Sequence, residues 1–243
     1  MLSIQQLTLQ YQSNAPAILE EVNLTAASGE VVVLIGDNGV GKSTLLKAIA
    51  GSIAIKAGEI SINHQSIRSK SRRELALQLA FVPTVVPYSS LLKVSEFISF
   101  GRYPFTNWLG AYTPEDNAVV EAVIRECALE KLANKRMNEI SDGERQKVAI
   151  ARALTQQTAL ILLDEPTTHL DIKNTIGILS LLKDQALQHG KTIVFSSHQI
   201  ERSLAIADKV WLSNDRKVIE TDVETFKKSD QMKAIVFGSN DLA

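Results

Sequence analysis

The segment from Gly36 to Thr44, Gly-Asp-Asn-Gly-Val-Gly-Lys-Ser-Thr, constrains the fold of this chain more than any other feature. The unbroken apolar run 31–35 precedes it and is typical of a strand buried on both faces. After it, the leucine and isoleucine residues of 45–49 lie on one side of a predicted helix. The segment therefore predicts a tight, glycine-bent turn that joins a buried strand to the start of a helix.

The chemistry of this turn favours a phosphate ligand over an ordinary glycine-rich connection. Its glycines let consecutive backbone N–H groups point inward at an anion, and the helix start adds unpaired N–H groups and the positive end of its dipole. Lys42 can reach the outer phosphates, and Ser43 can offer a hydroxyl to Mg²⁺. The full spacing G-x-x-x-x-G-K-S thus predicts a nucleoside triphosphate site. Its predicted binding residues are Gly36, Asn38, Gly39, Gly41, Lys42, Ser43 and Thr44.

Composition limits the class of protein. The chain has 243 residues, enough for one large domain, and its net charge of −1 argues against a nucleic-acid partner. The lone Cys127 lies on the apolar side of a predicted helix, which indicates a packed thiol. Because no apolar run is long enough to cross a bilayer and no signal-peptide pattern begins the chain, we expect a cytoplasmic protein that works at a membrane only through another chain.

The order of patterns predicts an α/β fold with a parallel-sheet core, an N-terminal antiparallel β region and a helical insert at about 85–140, all in one domain spanning 1–243. Short strands dominate the start, helical periodicity dominates the middle, and helices alternate with strands after residue 140. The predicted strands are 3–11, 19–25, 31–35, 58–67, 79–82, 159–163 and 192–197. The predicted helices of the last part are 142–155, 172–188 and 199–206.

Two adjacent carboxylates, Asp164 and Glu165, follow the buried strand 159–163. A parallel strand delivers them to the carboxyl edge of the sheet, where the phosphate turn also opens. There Asp164 can hold Mg²⁺, directly or through water, and Glu165 can orient or deprotonate an attacking water molecule. Paired with the phosphate turn, the acidic strand predicts nucleotide hydrolysis.

The segment Ile140-Ser-Asp-Gly-Glu-Arg-Gln146 contains an S-x-x-E capping box formed by Ser141 and Glu144, which by itself needs no further role. Together with the phosphate turn and the acidic strand, however, it resembles the signature sequence of the ATP-binding cassette (ABC) ATPases. The resemblance covers almost the whole chain and includes 168–171 at the place of the D-loop and His198 after the strand 192–197.

The resemblance implies an ATPase that binds ATP and Mg²⁺. It implies that Lys42, Glu165 and His198 act in catalysis, with His198 as the γ-phosphate sensor, and that Tyr11 stacks on adenine. Tyrosine at such a place is also a common packing residue. In the family, the signature helix of one protomer contacts the γ-phosphate held by a second protomer. The residues implied in that contact are Ser141, Gly143, Glu144 and Asp171.

Two positions depart from the family pattern. Thr84 replaces the glutamine that usually follows the strand 79–82, and its short side chain cannot span the usual distance to Mg²⁺ and the attacking water. We expect a water molecule or another side chain to fill that gap, and hydrolysis to be slower or less tightly gated. Asp142 replaces a signature glycine; we expect its carboxylate to point aside, because it would repel a phosphate.

The stretch 94–104 carries the pattern V-x-E-x-x-x-x-G-R-x-P. It resembles the ATPase subunits of iron–siderophore, haem and cobalamin importers, where this region helps to receive a helix of the transmembrane subunit. The resemblance implies a homodimer on the cytoplasmic face of the membrane, with permease subunits and a substrate-binding protein as partners. The structural alternative is an amphipathic helix that ends at Gly101 and Pro104 and uses Phe97, Ile98 and Phe100 for packing.

Two other functions stay open at this point. A soluble ABC ATPase, as in iron–sulfur assembly, would use the same nucleotide site without a membrane partner. A nucleotide-dependent scaffold would bind ATP but hydrolyse it weakly because of Thr84. For the transporter, we expect two chains arranged head to tail to enclose two ATP molecules between them.

Overall fold

The computed structural model describes residues 1–11 and 15–237. In chain order, the strands are β1 (Leu2–Leu9), β2 (Leu19–Ala26), β3 (Val31–Ile35), β4 (Ala57–Ile62), β5 (Gln65–Ser66), β6 (Leu79–Val82), β7 (Leu160–Leu163), β8 (Thr192–Ser196), β9 (Lys209–Asn214) and β10 (Lys217–Asp222). The α-helices are α1 (Lys42–Ile49), α2 (Arg72–Ala76), α3 (Val94–Ser99), α4 (Pro114–Glu126), α5 (Asp142–Thr155), α6 (Ile172–His189), α7 (Ile200–Leu204), α8 (Val223–Lys228) and α9 (Asp230–Phe237).

Two sheets organise the described part of the chain. The first has the spatial order β2-β1-β4-β5 and is antiparallel. The second has the order β10-β9-β3-β8-β7-β6; its strands from β9 to β6 are parallel, and β10 is antiparallel at one edge. This arrangement confirms the predicted fold class, an α/β core with an N-terminal antiparallel region. It also places the carboxyl ends of β3, β7 and β8 side by side.

Two parts of the pattern were read incompletely from the sequence. A single strand over 58–67 is wrong, because the chain turns back at Asn63 and His64 and forms the β4–β5 hairpin. Both residues have positive φ, 50° and 62°, as a two-residue hairpin turn requires. Beyond residue 206 the sequence indicated no element, whereas β9 joins the parallel sheet beside β3.

Alternate side chains of the parallel strands pack into different cores. Val32 and Leu34 of β3 join the apolar cluster that contains α1 and the antiparallel sheet. Val33 and Ile35 join the cluster that contains α3 to α6. Because both faces of β3 are covered, all five of its residues are buried, which explains the unbroken apolar run. The phosphate turn therefore starts from a rigid strand.

Close packing at Gly101 and buried hydrogen bonds of Arg102 hold the helical region together. A Cβ on Gly101 would lie 2.0 Å from Oγ1 of Thr155, so only glycine fits there. The guanidinium of Arg102 donates to Oδ1 of Asp116 at 2.8 Å and to the carbonyl oxygen of Thr155 at 2.9 Å. Packing within the chain thus accounts for the Gly-Arg pair of the 94–104 motif. Phe97 belongs to the core as well.

Two smaller expectations concern membranes and the cysteine. Within residues 1–11 and 15–237, no helix is both long and apolar enough to cross a membrane. Cys127 is buried, and burial raises the pKa of its thiol to about 12. The thiol therefore stays protonated at neutral pH and serves as a packing group, as predicted.

Candidate active site

The turn between β3 and α1 depends on glycine at two points. Gly36 has a φ of 145°, and a Cβ there would lie 2.3 Å from the carbonyl oxygen of Ser213 on β9. Gly41 caps α1 with a φ of 104°, and a Cβ there would lie 3.0 Å from Ile18. Larger residues would collide with these neighbours and strain the backbone. The turn can therefore lie close against the N-terminal segment and β9.

Lys42 lies buried inside the turn. Its ammonium donates to the carbonyl oxygens of Gly36 at 2.7 Å and Asp37 at 2.8 Å. Burial lowers the pKa of Lys42 below its usual value, and nearby carboxylates, above all that of Glu165, oppose part of this shift. The ammonium is held by two neutral carbonyl groups, so an anion in the turn would be its stronger partner.

Ser43, at the start of α1, contacts Asp164, which directly follows β7. The Ser43 hydroxyl donates to Oδ1 of Asp164 at 3.0 Å, and Asp164 is 3% exposed at the end of β7. Among the described residues, no cluster of three or more acidic, histidine or cysteine side chains could hold a metal. One hydroxyl and one carboxylate match Mg²⁺, which commonly takes one or two protein oxygens together with phosphate and water. The donor set fits this ion.

Two side chains hold the Glu165 carboxylate next to Asp164. Its Oε1 lies 2.6 Å from Nε2 of His198, and its Oε2 accepts a hydrogen bond from the Thr168 hydroxyl at 3.0 Å. Its backbone is in the left-handed region, with a φ of 51°. The contacts bring the carboxylate, the imidazole and the D-loop region together at the carboxyl edge of the sheet.

A cavity of about 250 Å³ opens over the phosphate turn. The residues that line it are Tyr11, Ile18, Asn38, Gly39, Gly41, Lys42, Ser43, Thr44 and Glu165. The hydroxyl of Tyr11 lies 2.9 Å from Oγ1 of Thr44, while 69% of the Tyr11 residue is exposed. The tyrosine is thus tethered at its hydroxyl and leaves much of its ring open to a planar ligand.

The signature segment lies elsewhere on the chain. Ser141 caps α5 and forms the predicted capping box with Glu144. A Cβ on Gly143 would lie 2.7 Å from the side-chain nitrogen of Asn174, and Asp171 caps α6 by accepting from the Asn174 N–H at 2.8 Å. None of the four predicted signature-side and D-loop residues is among the described residues that line the cavity over the phosphate turn.

The two positions that depart from the family pattern share a second cavity. Thr84 and Asp142 both line a space of about 340 Å³ that Tyr88, Arg145 and Thr168 also border. The Asp142 carboxylate pairs with Arg145, whose guanidinium lies 5.3 Å from the Tyr88 ring. Asp142 therefore points toward its own helix, as expected. Thr84 is exposed in this second cavity. Its expected effect at the Mg²⁺ site, a gap that slows hydrolysis, stays a prediction.

One residue that connects the site was not singled out from the sequence. Ser196, the last residue of β8, donates a hydrogen bond to Oδ1 of Asp164 and accepts one from the backbone N–H of Glu165, both at 2.8 Å. The only local signal was a serine at the end of a buried strand, two residues before His198. Its partners lie more than 30 residues away along the chain, so sequence patterning could not reveal the contact.

The fold and the site together define a P-loop nucleoside triphosphatase. Comparison with known proteins gives the family. A family model described as ABC transporter matches residues 19–168. Achromobactin transport ATP-binding protein CbrD of Dickeya dadantii is 37% identical over 211 residues, which cover 87% of this chain and 78% of that protein. Iron(3+)-hydroxamate import ATP-binding protein FhuC of Bacillus subtilis is 35% identical over 202 residues, which cover 83% and 74%.

Solved structures agree. An inward-facing metal-chelate type ABC transporter superposes with a TM-score of 0.85 at 29% identity, over 97% of this chain and 88% of that one. The dimeric, post-hydrolysis structure of the ATP-binding cassette MJ0796 with ADP and Pi gives 0.80 at 29% identity, over 92% and 99%. The chain belongs to the ABC transporter family as an ATP-binding, ATP-hydrolysing cassette. The resemblance inferred from its sequence is confirmed.

Proposed function

We propose that this chain energises the import of a metal chelate, of the iron–siderophore, haem or cobalamin type, through an ABC transporter. The observation that carries the substrate class is that the relatives named above serve achromobactin transport and iron(3+)-hydroxamate import. A further relative from Shewanella denitrificans, 34% identical, is named for hemin import. These names favour a transporter over a soluble ATPase or a scaffold.

The nucleotide site supports an ATP-sandwich homodimer. In a single chain, the cavity over the phosphate turn contains no described residue of the signature segment. A second chain, placed head to tail, would bring its Ser141, Gly143 and Glu144 to the γ-phosphate and its Asp171 to the interface. The helix start at Ser141 would then offer N–H groups and the positive end of the α5 dipole to that phosphate.

Each residue of the site has a role that follows from its contacts. Bound Mg²⁺ would neutralise phosphate charge, with the Ser43 hydroxyl and the Asp164 carboxylate as the protein oxygens that hold it. Lys42 would exchange its two carbonyl partners for phosphate oxygens. Glu165 would orient the attacking water and accept its proton. His198, now within hydrogen-bonding distance of Glu165, would turn to the γ-phosphate.

The segment after β6 supports a membrane partner. Val85 is 81% exposed and Leu91 is 74% exposed, and the Tyr88 ring lies between them in sequence and is also exposed. These exposed apolar side chains are concentrated in one short segment, and such a concentration supports a docking site for another chain. We assign this site to a cytoplasmic helix of a permease, which would hold the ATPase at the cytoplasmic face of the membrane. A substrate-binding protein would complete the importer.

Co-expression with candidate permease subunits tests the proposed function. We expect the chain to co-purify with them in detergent and to hydrolyse ATP faster in the complex, because coupling to transport regulates closure of the dimer. Chelate uptake into vesicles identifies the substrate. A chain that hydrolyses ATP at its full rate alone and captures no permease would instead support the soluble alternative.

Thr84→Gln should raise ATP turnover in the permease complex. Glutamine can reach the water and metal that threonine cannot, and one added hydrogen bond corresponds to about a 2–10-fold gain in rate. The measurement is steady-state ATPase activity together with transport per ATP. Ser180→Gln, an exposed change in the middle of α6 and outside the docking segment, serves as the control. Unchanged turnover and coupling in Thr84→Gln would count against the idea that Thr84 limits hydrolysis.

A further inference from the structure

Ser196 occupies a central place in the parallel sheet. It ends β8, which lies between β3, the strand of the phosphate turn, and β7, the strand of the acidic pair. The serine is 0% exposed. A buried hydroxyl at this position is shielded from water, so its hydrogen bonds to protein groups determine its orientation.

The direction of these hydrogen bonds is set by chemistry. The backbone N–H of Glu165 can only donate, so Oγ of Ser196 accepts there, and the single hydroxyl hydrogen is left for Oδ1 of Asp164. The result is a chain of two bonds, each 2.8 Å long, from the main chain of Glu165 through Ser196 to the side chain of Asp164. One hydroxyl thus links the two acidic residues of the site.

The two hydrogen bonds of Ser196 restrain the side chain of Asp164 and the main chain of Glu165. Oδ1 of Asp164 also accepts a hydrogen bond from the Ser43 hydroxyl. Two hydroxyls, one from α1 and one from β8, therefore orient the same carboxylate. Glu165 has a φ of 51°, a conformation that a non-glycine residue adopts only when its surroundings hold it. The hydrogen bond from its N–H to Ser196 is one of the contacts that hold it.

We infer that Ser196 is a positioning residue that sets the geometry of Asp164 and Glu165 relative to each other. This inference rests on the proposed roles of those two residues in metal binding and water activation. Ser196 need not touch the nucleotide. It acts through Asp164 on the orientation of a metal-binding oxygen, and through the main chain of Glu165 on the direction of the base.

Ser196→Ala tests the inference with measurements that separate positioning from stability. We expect kcat for ATP to fall, and the half-saturating Mg²⁺ concentration to rise, by about 10–100-fold, the usual cost of losing an outer-shell partner. Affinity for a fluorescent ATP analogue without Mg²⁺ should stay unchanged, because the phosphate turn is intact. The Mg²⁺-dependent gain in that affinity should shrink. Ser196→Thr, which keeps the hydroxyl, should restore the metal dependence and kcat.

Thr192→Val is the matched control. Thr192 begins the same strand at the opposite edge of the sheet and is 0% exposed. Its hydroxyl likewise makes two hydrogen bonds, here to the backbone of Ala27 and of Gly29. The variant therefore loses a buried hydroxyl far from the site. We expect its Tm to fall at least as much as that of Ser196→Ala, while its kcat and Mg²⁺ dependence stay those of the unmodified protein.

Three results would overturn the inference. One is wild-type kcat and Mg²⁺ dependence in Ser196→Ala. Glu165→Gln and Asp164→Asn are measured alongside, because they test separately the proposed roles of Glu165 and Asp164 on which the inference rests. Another is a loss in Ser196→Ala that Thr192→Val matches. A third is a loss that Ser196→Thr does not restore although its Tm is unchanged. If the alanine variant does not fold, Ser196→Cys, with a weaker donor, should show the same losses to a smaller degree.

Discussion

Lys42→Ala is expected to abolish measurable ATP turnover, with kcat/KM for ATP at least about 10²–10³-fold lower, the usual effect of removing a charged group that stabilises the transition state. The ammonium already lies inside the turn, 2.7 Å from the carbonyl oxygen of Gly36, where we propose that the phosphates bind. Without it, the turn keeps its N–H groups and the helix dipole but loses its only lysine. Calorimetry with Mg·ATP and a steady-state ATPase assay measure the two losses.

The loss should not reflect unfolding. Burial lowers the pKa of Lys42, which means that the folded protein bears a cost for keeping this ammonium charged, and its removal relieves that cost. The Tm of Lys42→Ala should therefore stay close to that of the unmodified protein. Lys47→Ala, an exposed change on the same helix, is the matched control and should keep full activity. Normal ATP binding and turnover in Lys42→Ala would contradict the assigned site.

Glu165→Gln should separate binding from hydrolysis. The amide cannot accept a proton from water, so kcat should fall by about 10²–10⁴-fold, the typical contribution of a general base. Glutamine can still use its amide oxygen and nitrogen toward His198 and Thr168, so the local structure should persist. ATP should then remain bound and hold two chains together. Light scattering after size exclusion, in saturating ATP and Mg²⁺, should show a dimer.

The control for this variant is Glu201→Gln, an exposed glutamate on α7 near His198. It removes the same charge without touching the site, and it should hydrolyse ATP normally and stay monomeric after turnover. The measurement is repeated with permease subunits present, which supply any help that closure needs. The proposed mechanism would be contradicted if Glu165→Gln formed no ATP-dependent dimer under either condition. It would also be contradicted if this variant hydrolysed ATP normally.

Local sequence patterns were sufficient for the elements that carry the chemistry. The run 31–35 and the helix after Lys42 lie where the pattern indicated them, and helix α5 has the predicted bounds 142–155. These elements have strong, short-range signals: an apolar strand, a helix start with a capping box, and an amphipathic stripe. Asn63 and His64 carried a weaker signal, because positive φ at a non-glycine pair is decided by the hairpin around it.

The structure gives the motif at 94–104 an explanation that its sequence pattern alone did not. Its Gly101 and Arg102 suggested a transport subfamily, and the structure gives both residues a packing reason. Gly101 makes room for Thr155 on α5, and Arg102 joins Asp116 of α4 to the end of α5. Phe97 is buried, whereas Phe100 is 41% exposed. The 94–104 pattern is therefore explained by packing between α3, α4 and α5 within this chain.

By itself, the sequence determined a glycine-bent turn, a lysine and two carboxylates after a buried strand, because each of these features depends on neighbours within a few residues. From these features it predicted a triphosphate site. Only the tertiary structure decided which groups orient them. The order of strands in the sheet puts β8 between β3 and β7, and so brings the hydroxyl of Ser196 within 2.8 Å of Asp164. That distance depends on how whole strands pair, and no local period along the chain records it.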